Sequence, residues 1–489
     1  MPYTKTPEVS TYQTKMVNLL KQENHRDDVA TQDEDYLNCF VDLVSNNKLE
    51  DSKKHIVKRA GSTQYVASVG GTTVRGFHFN EDFGKIYYCV GRSIYVYNIA
   101  TSAATTTLTN FFTSSTGDVG FCDYLYDNGT QVVIATDGTE LGQITSAEAI
   151  TMNADADMPV HVPTPVFLDG YLFVLKAGTA DVYNSDLNNP LSWTPGDFIT
   201  AEIGPDTAKN LVKLNNYLLV FGTNTIEYFW DAANASGSPL QRNDTPVKFT
   251  GYLGALATFG NRIYFSGQNK EGQPSVYMLE DFKIEEIASP SVVRYLNTVG
   301  ATFTNAKGSI LSIQGHNFYV LNTGTLTYVL DLDTKLWARW AFQAGTEFAV
   351  LFAINTRSTT TYRPLFILEG TTAIYRMDQD LYQDNGTNFT VSGVTDNQYF
   401  DTYNEKSMGR LVVWADKPPS STPTPTLSIQ WSDDDYQTYN TARTLTLFQD
   451  RPNIDRLGRF RRRAFKWSFA VNHPLRIRGF EVNINIGAN

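Results

Sequence analysis

The stretch YLLVFGTNTIEYFW, residues 217–230, decides the fold class. Two runs of apolar and aromatic residues, each long enough for one strand, flank the short polar segment GTNT. Aromatic and β-branched side chains favour pleated sheets, and glycine adopts the positive φ of a tight turn without steric cost. The stretch is therefore predicted to form a β-hairpin.

The same pattern recurs six more times between residues 62 and 380. The further copies are KIYYCVGRSIYVYNI (85–99), QVVIATDGTELGQI (131–144), YLFVLKAGTADVYN (171–184), RIYFSGQNKEGQPSVYML (262–279), FYVLNTGTLTYVLDL (318–332) and PLFILEGTTAIYRM (364–377). The predicted turn glycines lie 40 to 57 residues apart and are Gly91, Gly138, Gly178, Gly222, Gly267, Gly324 and Gly370.

An isolated hairpin is marginal in water, so each copy must bury its apolar face against other strands. Hairpins that recur about every 40–50 residues are typical of four-stranded blades arranged radially. We therefore predict an all-β protein in which residues 61–385 form a β-propeller of six or seven blades. A series of β-sandwiches with accidental spacing is the alternative.

The last hundred residues contain predicted strands without this repeat. They are GRLVVWA (409–415), LSIQW (427–431), TLTLF (444–448), AFKWSFAV (464–471) and FEVNINI (480–486). The segment DKPPSSTPTPT, residues 416–426, is predicted to be a protruding loop because proline lacks the amide donor of a central strand. We predict a C-terminal β-sandwich platform at residues 386–489.

Residues 1–60 are predicted to supply an N-terminal arm and one platform strand. YLNCFVDLV, residues 36–44, has a strand pattern but is too short to fold alone, so we expect it to pack with the C-terminal domain. The two chain ends would then form one platform. Residues Ser10 to Glu23 form either one short helix with a thin apolar side or an extended arm that orders on a neighbour.

Charge is unevenly distributed along the chain. The net charge is −11, but from Arg451 to the end nine basic residues oppose two acidic ones, so this segment carries +7 and residues 1–450 carry −18. The acidic balance argues against a chain whose main task is to grip nucleic acid. Three cysteines without a CxxC spacing favour folding in a reducing cytoplasm. We expect no signal peptide and no membrane insertion, because no apolar run approaches 18 residues.

Motifs for catalysis or cofactor binding are absent. There is no GxSxG, no Walker-type loop, no HExxH and no histidine pair at metal-ligand spacing. SDDDYQTY, residues 432–439, is similar to the Asp-box of sialidases, S-x-D-x-G-x-T-W, with Tyr436 and Tyr439 replacing Gly and Trp. Sialidases repeat this turn-stabilising box in several blades, so one degenerate copy makes a glycosidase the weaker hypothesis. We predict no enzymatic activity, no catalytic residue, no metal and no cofactor.

A basic run interleaved with aromatic residues precedes the last strands. Its members are Arg451, Arg456, Arg459, Arg461, Arg462, Arg463 and Lys466. Such a run suits either nucleic acid or an acidic protein partner, with alternate residues of a strand pointing outward. The net negative charge of the chain favours the protein partner. The predicted partner-interface residues are Arg459, Arg461, Arg462 and Arg463.

Several segments together resemble a known family, the tail nozzle or tail hub (packaged-DNA stabilisation) proteins of short-tailed bacteriophages of the Salmonella podovirus type. The similar passages are LLVFGTNTIEYFWDAANASGSP (218–239), QPSVYML (273–279), LSIQWSDDDYQTY (427–439), LGRFRRRAFKWSF (457–469) and PLRIRGFEVNI (474–484). A Phe-Gly-x-x-Thr-Ile-Glu-Tyr-Phe block and a Gly-Arg-x-Arg-Arg block occur at Phe221–Phe229 and Gly458–Arg462, in the family's order. The resemblance spans roughly residues 36–486 and departs in the first 30 residues and in the loop 416–426.

This resemblance implies a structural component of the virion tail, present in the host cytoplasm during assembly. Six copies would form a ring below the head-to-tail adaptor, extend the DNA channel, retain packaged DNA, conduct it during ejection and carry fibres or spikes, with a needle or plug at the tip. Double-stranded DNA would pass without sequence-specific binding, because an acidic lumen repels phosphates. The alternative is a receptor- or carbohydrate-binding tail protein that uses exposed Trp and Tyr on the propeller.

Overall fold

The computed structural model describes residues 12–19, 36–43, 54–71, 73–101, 103–204, 206–234, 236–299, 306–345, 347–357 and 362–487. Over these residues the protein consists of 38 β-strands and one ten-residue helix. Contacts divide the chain into a larger unit, Thr63–Thr327 with Ala349–Asp378, and a smaller unit, Met1–Ser62 with Tyr328–Phe348 and Gln379–Asn489. The all-β prediction is confirmed.

Four strands precede the repeats: β1 (Gln13–Asn18), β2 (Cys39–Leu43), β3 (Lys54–Lys58) and β4 (Gly61–Val66). Seven four-stranded sheets are then built mainly from strands that follow one another in sequence. Their strands are β5 (Val74–Asn80), β6 (Lys85–Val90), β7 (Ser93–Asn98) and β8 (Ala103–Leu108); β9 (Gly120–Leu125), β10 (Gln131–Thr136), β11 (Leu141–Ile144) and β12 (Ile150–Met152); β13 (Val166–Leu168), β14 (Tyr171–Leu175), β15 (Asp181–Asp186) and β16 (Asn189–Thr200); β17 (Ala208–Leu214), β18 (Tyr217–Gly222), β19 (Ile226–Asp231) and β20 (Leu240–Lys248); β21 (Gly251–Phe259), β22 (Arg262–Gln268), β23 (Pro274–Glu280) and β24 (Lys283–Glu286); β25 (Lys307–Ile313), β26 (His316–Asn322), β27 (Thr327–Asp331) and β28 (Trp337–Trp340); and β29 (Val350–Arg357), β30 (Tyr362–Leu368) and β31 (Ile374–Asp378). The helix α1 (Pro290–Val299) lies between β24 and β25.

The last of these sheets is completed by a strand from the start of the repeats, since its order is β29-β30-β31-β4. Hydrophobic clusters join neighbouring sheets, and one of them unites Leu365 and Ile367 of β30 with Ile86 and Tyr88 of β6. The last sheet therefore packs on the first, and the circle of blades is closed. The propeller prediction is confirmed, with seven sheets among the described residues.

Each of the seven predicted hairpins forms the second and third strands of one sheet. Five of the predicted turn glycines have positive φ in turns, as Gly138 does at 92°. Gly222 and Gly267 were wrongly placed in turns, because they lie within β18 and β22. They are needed there for space, since a Cβ on Gly222 would lie 2.3 Å from Oδ2 of Asp206 and one on Gly267 2.5 Å from the carbonyl oxygen of Gly251.

The smaller unit contains two packed sheets, whose remaining strands are β32 (Val391–Val394), β33 (Lys406–Ala415), β34 (Thr426–Ser432), β35 (Arg443–Thr446), β36 (Asn453–Phe460), β37 (Ala464–Phe469) and β38 (Arg476–Ile486). One sheet has the order β2-β3-β38-β33-β36 with β1 also on β38, and the other has the order β32-β37-β34-β35. One hydrophobic cluster joins them, with Leu411 and Phe480 from the first and Leu427 and Trp467 from the second. The predicted β-sandwich built from both chain ends is confirmed.

The helix considered for Ser10–Glu23 is wrong over Gln13–Asn18, which form β1. This strand pairs antiparallel with β38, where Val17 lies opposite Phe480 and is completely buried. Pairing with β38 provides partners for the backbone hydrogen bonds of this segment and buries the Val17 side chain. A helix that packs on nothing would leave Val17 exposed. Residues 10, 11 and 20–23 lie outside the described part of the chain.

The three predicted domain ranges stay a prediction. The contact-based units differ from them at Tyr328–Phe348, which group with the smaller unit and not with the propeller. The segment 416–426 connects β33 to β34 without a strand of its own before Thr426, as a loop should. Among the described residues, no helix is both long and apolar enough to cross a membrane.

Candidate functional site: an arginine-rich sheet edge

Most of the basic run lies on β36 and in the turn after it, at one edge of the larger sheet of the sandwich, whereas Lys466 lies on β37 of the other sheet. In the larger sheet β36 is the terminal strand and pairs with β33. Arg456 and Gly458 have positive φ, and the register with β33 shifts between Met408 and Arg410. This irregularity buries every third residue of β36, namely Ile454, Leu457 and Phe460. The predicted simple alternation is therefore wrong here, because a β-bulge re-aims the side chains.

Three arginines surround one exposed carboxylate on this edge. Arg410 Nε lies 2.6 Å from Oδ1 of Asp455, and Arg443 donates to the backbone carbonyl of Asp455 at 2.6 Å. The hydrogen bond from Arg410 is the main cause that lowers the pKa of Asp455, and the charges of Arg443 and Arg456 lower it further. Asp455 thus stays ionised at neutral pH. Because its single negative charge faces three arginines, the group keeps a net positive charge.

Arg459 near the end of β36 and Arg461 just after it extend this positive surface. Arg459 Nη1 lies 3.8 Å from Oε2 of Glu405, and both side chains are more than half exposed. Arg461 Nη1 donates to the carbonyl of Tyr403 at 3.2 Å, and the Tyr403 side chain is 68% exposed. Since exposed ion pairs contribute little energy, both guanidinium groups can exchange these contacts for a partner's carboxylates.

Arg463 has a different place. It is 1% exposed, and its Nε and Nη2 each lie 2.7 Å from one carboxylate oxygen of Asp433. Its Nη1 donates to the carbonyl of Leu457 at 2.9 Å, and the guanidinium lies 4.2 Å from the ring centre of Phe460. This bidentate pair joins the buried Arg463 to Asp433, whose side chain is 37% exposed, and it holds the turn between β36 and β37 in place. Its guanidinium does not reach a partner in this conformation.

Arg462 is intermediate, because it pairs with Asp435 and remains 40% exposed. The interface role predicted for all four arginines stays a prediction, and burial divides them into an exposed pair, Arg459 and Arg461, and two that are paired within the chain. The ion pairs between the acidic run and the basic run were not predicted from the sequence. They follow from the pairing of β34 with β37, whose register sets Ser432 opposite Ala464.

The acidic run also contains a tight local turn. Asp434 accepts hydrogen bonds from the Thr438 amide at 2.9 Å and from Ser432 Oγ at 2.7 Å. The Thr438 hydroxyl bond first, then the Thr438 amide and Ser432, lower the pKa of Asp434 to about 2. Tyr436 has a φ of 68° at the position where the similar sialidase motif has glycine. The three aspartates of this run are thus engaged in turn geometry and ion pairs.

A cavity of about 1330 Å³ lies along the inner strands of the propeller sheets. Its charged lining residues are three acidic residues and three lysines, and Nζ of Lys307 lies 3.4 Å from Oδ2 of Asp118.

A family model described as "Phage_stabilise: Bacteriophage P22 Gp10, beta-propeller" matches residues 43–344. The chain belongs to this family. The matched range covers more than half of the 489 residues and contains six of the seven predicted hairpins. The protein is therefore a structural component of a phage tail, with a role in stabilisation and a place in the virion tail.

Several solved structures are distantly similar to this chain. Virginiamycin B lyase from Staphylococcus aureus is 12% identical, with a TM-score of 0.42 over 62% of this chain and 94% of the lyase. The N-terminal domain of Nup159 is 12% identical, with a TM-score of 0.40 over 68% of this chain and 97% of that domain. The WD40 repeats of RRP9 are 7% identical, with a TM-score of 0.40 over 66% of this chain and 99% of that structure. No curated protein sequence matches the chain.

Proposed function

We propose that the chain is the ring-forming nozzle of a podovirus tail. In this proposal a homohexamer extends the DNA channel below the head-to-tail adaptor, retains the packaged genome and conducts it during ejection. Fibres or spikes and a tip needle or plug are its further partners, and the chain has no enzymatic activity. Membership in the phage family supports the tail location, and the division of charge within the chain supports the finer role.

The observation that carries the proposal is this division of charge. The larger unit holds 26 acidic and 16 basic residues, a net charge of −10, whereas the smaller unit holds 25 acidic and 24 basic residues, a net charge of −1. A protein that neutralises many phosphates binds duplex DNA tightly and in a salt-dependent way. A conduit must release DNA, so an acidic propeller suits passage and a nearly neutral platform with an arginine-rich edge suits assembly.

The exposed pair Arg459 and Arg461 is the part of the predicted interface that we retain for a contact with the adaptor or with a neighbouring copy. Arg463 is left out because it is buried on Asp433. Arg462 is paired with Asp435 and its side chain is 40% exposed, so only part of it is open to a partner.

The proposal is tested with phage particles made without this protein. Heads that have packaged DNA should lose it when the chain is missing, and wild-type protein supplied from a plasmid should restore DNA-filled, tailed particles. Gel analysis of particle-protected DNA measures the retention. Full retention of DNA by particles that lack the chain would contradict the nozzle role.

The second candidate is a receptor- or carbohydrate-binding tail protein, and exposed aromatic side chains on the propeller favour it. Trp230 on β19 is 41% exposed and Phe198 on β16 is 40% exposed. An isolated chain that binds defined glycans on an array, and loses that binding when Trp230 is replaced by alanine, would support this candidate. If the isolated chain binds no glycan and particles made without it lose their DNA, the results support the nozzle and not the receptor-binding candidate.

A further inference from the structure

An exposed apolar patch lies at one end of three successive propeller sheets. Leu125 at the end of β9, Leu187 after β15 and Trp230 near the end of β19 are 48%, 56% and 41% exposed. In a four-stranded meander, the turn between strands one and two and the turn between strands three and four lie at the same end, because neighbours are antiparallel. The three side chains are therefore at corresponding ends of their sheets.

Contacts between the sheets make the patch continuous. The amide of Asp127, beside Leu125, donates to Oδ1 of Asn188 at 3.3 Å, and Asn188 follows Leu187. The Tyr124 hydroxyl donates to the carbonyl of Gly170 at 2.8 Å, and a Cβ on Gly170 would lie 2.9 Å from Cδ1 of Leu187. The second and third sheets thus join at this end.

The fourth sheet packs against the third beside this patch. One hydrophobic cluster contains Val182 of β15 together with Leu218 and Phe229 of the fourth sheet, and Tyr171 of β14 packs against it. Phe229 directly precedes Trp230 in β19. Trp230 therefore lies at the corresponding end of the sheet that packs against the one containing Leu187.

The rim of this patch is acidic. Asp127, Asp169, Asp186 and Asp231 lie in the turns or at the strand ends around it. Over residues 118–206 the chain has 14 acidic residues and one lysine, Lys176. A large exposed aromatic with apolar neighbours and a charged rim is the usual composition of a protein–protein interface.

The matching surface is the arginine-rich edge. There Arg456, Arg459 and Arg461 are exposed, and Arg461 donates to the carbonyl of Tyr403, whose side chain is 68% exposed. The same chain therefore offers an acidic apolar surface and a basic aromatic surface. Complementary potentials of this kind set orientation and suppress wrong contacts.

We propose that the acidic apolar patch around Trp230 receives the arginine-rich edge of a second copy of this chain. The contact joins two different surfaces, so it is head-to-tail, and repetition through a closing rotation produces a ring. The proposal rests on the proposed function only in that the ring is the nozzle ring. Attraction between these surfaces weakens as salt rises, because charges separated by more than about 10 Å are screened at 0.1 M salt.

The test reverses charge on each surface separately. The first variant is Asp127→Lys with Asp169→Lys, and the second is Arg459→Asp with Arg461→Asp. Each variant alone sets like charges against each other at every contact, so ring-bearing tails should fall by more than about tenfold. Electron microscopy of particles from complemented infections counts the rings, and thermal unfolding of the purified variants checks the fold.

Co-expression of the two variants is the decisive step. When copies alternate, every contact joins either two native or two reversed surfaces, so rings with an even number of copies should return. The matched controls, Glu271→Lys with Glu285→Lys and Arg92→Asp with Lys270→Asp, change net charge equally at other exposed propeller positions and should assemble as wild type.

Each outcome has one meaning. Loss of rings in both variants with recovery in the mixture supports the proposal. Normal rings in either variant, or loss without recovery in the mixture, overturns it while leaving the nozzle role intact. Normal rings with altered DNA release in the first variant would place the acidic turns in the channel instead and also overturn it. Wild-type particles without rings would refute the proposed function itself.

Discussion

Replacing Asp384 by alanine should destabilise the smaller unit severely, because this carboxylate is the counter-charge of a buried arginine. The side chains of Arg59 and Asp384 are both completely buried. Asp384 Oδ1 accepts from Arg59 Nη1 at 3.1 Å and from Ser62 Oγ at 3.0 Å, and Oδ2 accepts from the Gln343 amide at 3.0 Å. The carboxylate therefore ties together three segments of the chain that are far apart in sequence.

The magnitude follows from what remains after the substitution. Arg59 keeps its bond to the carbonyl of Ala341 at 2.7 Å and its position 4.0 Å from the ring centre of Phe389, but it loses its counter-charge. Breaking a buried ion pair by removing one partner costs about 3–5 kcal/mol of unfolding free energy. Replacing both partners by apolar residues of similar size, Arg59→Met with Asp384→Leu, should cost much less, since no uncompensated charge is left.

Urea unfolding followed by tryptophan fluorescence measures the loss, with Trp340 as a local probe because its ring centre lies 5.7 Å from the Arg59 guanidinium. With a slope of about 2 kcal/mol per molar urea, the midpoint of the smaller unit should fall by about 1.5–2.5 M. Asp450→Ala is the control, since its pair with Lys417 is exposed and its loss should leave the midpoint unchanged. A loss below about 1 kcal/mol for Asp384→Ala, or strict additivity in the double substitution, would refute this reasoning.

Two further outcomes concern buried cations of the same unit. Burial, and then the charge of Arg59, lower the pKa of Lys58 from 10.5 to about 7. Between these two pH values Lys58 is protonated in the unfolded chain but largely neutral in the folded one. The free energy of unfolding should therefore rise with pH over this range. Lys58→Met should flatten the dependence of the urea midpoint between pH 7 and 9, and an unchanged slope would contradict the assignment. Arg463→Ala should cost about 1–3 kcal/mol because it removes a buried side chain that packs on Phe460 and leaves the carbonyl of Leu457 without its donor, whereas Arg459→Ala should stay within about 0.5 kcal/mol. Equal losses for these two arginines in chemical denaturation would show that burial does not separate them.

The propeller was predictable because its signal is local. Each hairpin contains its own apolar alternation and turn residues, so β18 and β19 can be recognised without knowing their neighbours. The outer strands were harder, as in β8, whose AATTTL sequence is mostly exposed and carries little apolar pattern. The closing strand β4 could not be derived from hairpin periodicity, since its partner β31 lies about 300 residues later.

The candidate site was predictable in composition but not in geometry. The run of arginines was visible in sequence, yet the left-handed φ of Arg456 and Gly458 changes which residues face solvent. Nothing local indicates this bulge, because it arises from the register with β33. The burial of Arg463 required the acidic turn at Asp433, 30 residues earlier, to be placed beside it by the pairing of β34 with β37.

Cryo-electron microscopy of the assembled phage tail that contains this chain shows whether the protein forms the proposed ring. We expect six copies around an axial channel wide enough for duplex DNA, with the ring next to the head-to-tail adaptor. Three copies on the tail periphery with no channel between them would contradict it and would indicate an adhesin instead of a nozzle.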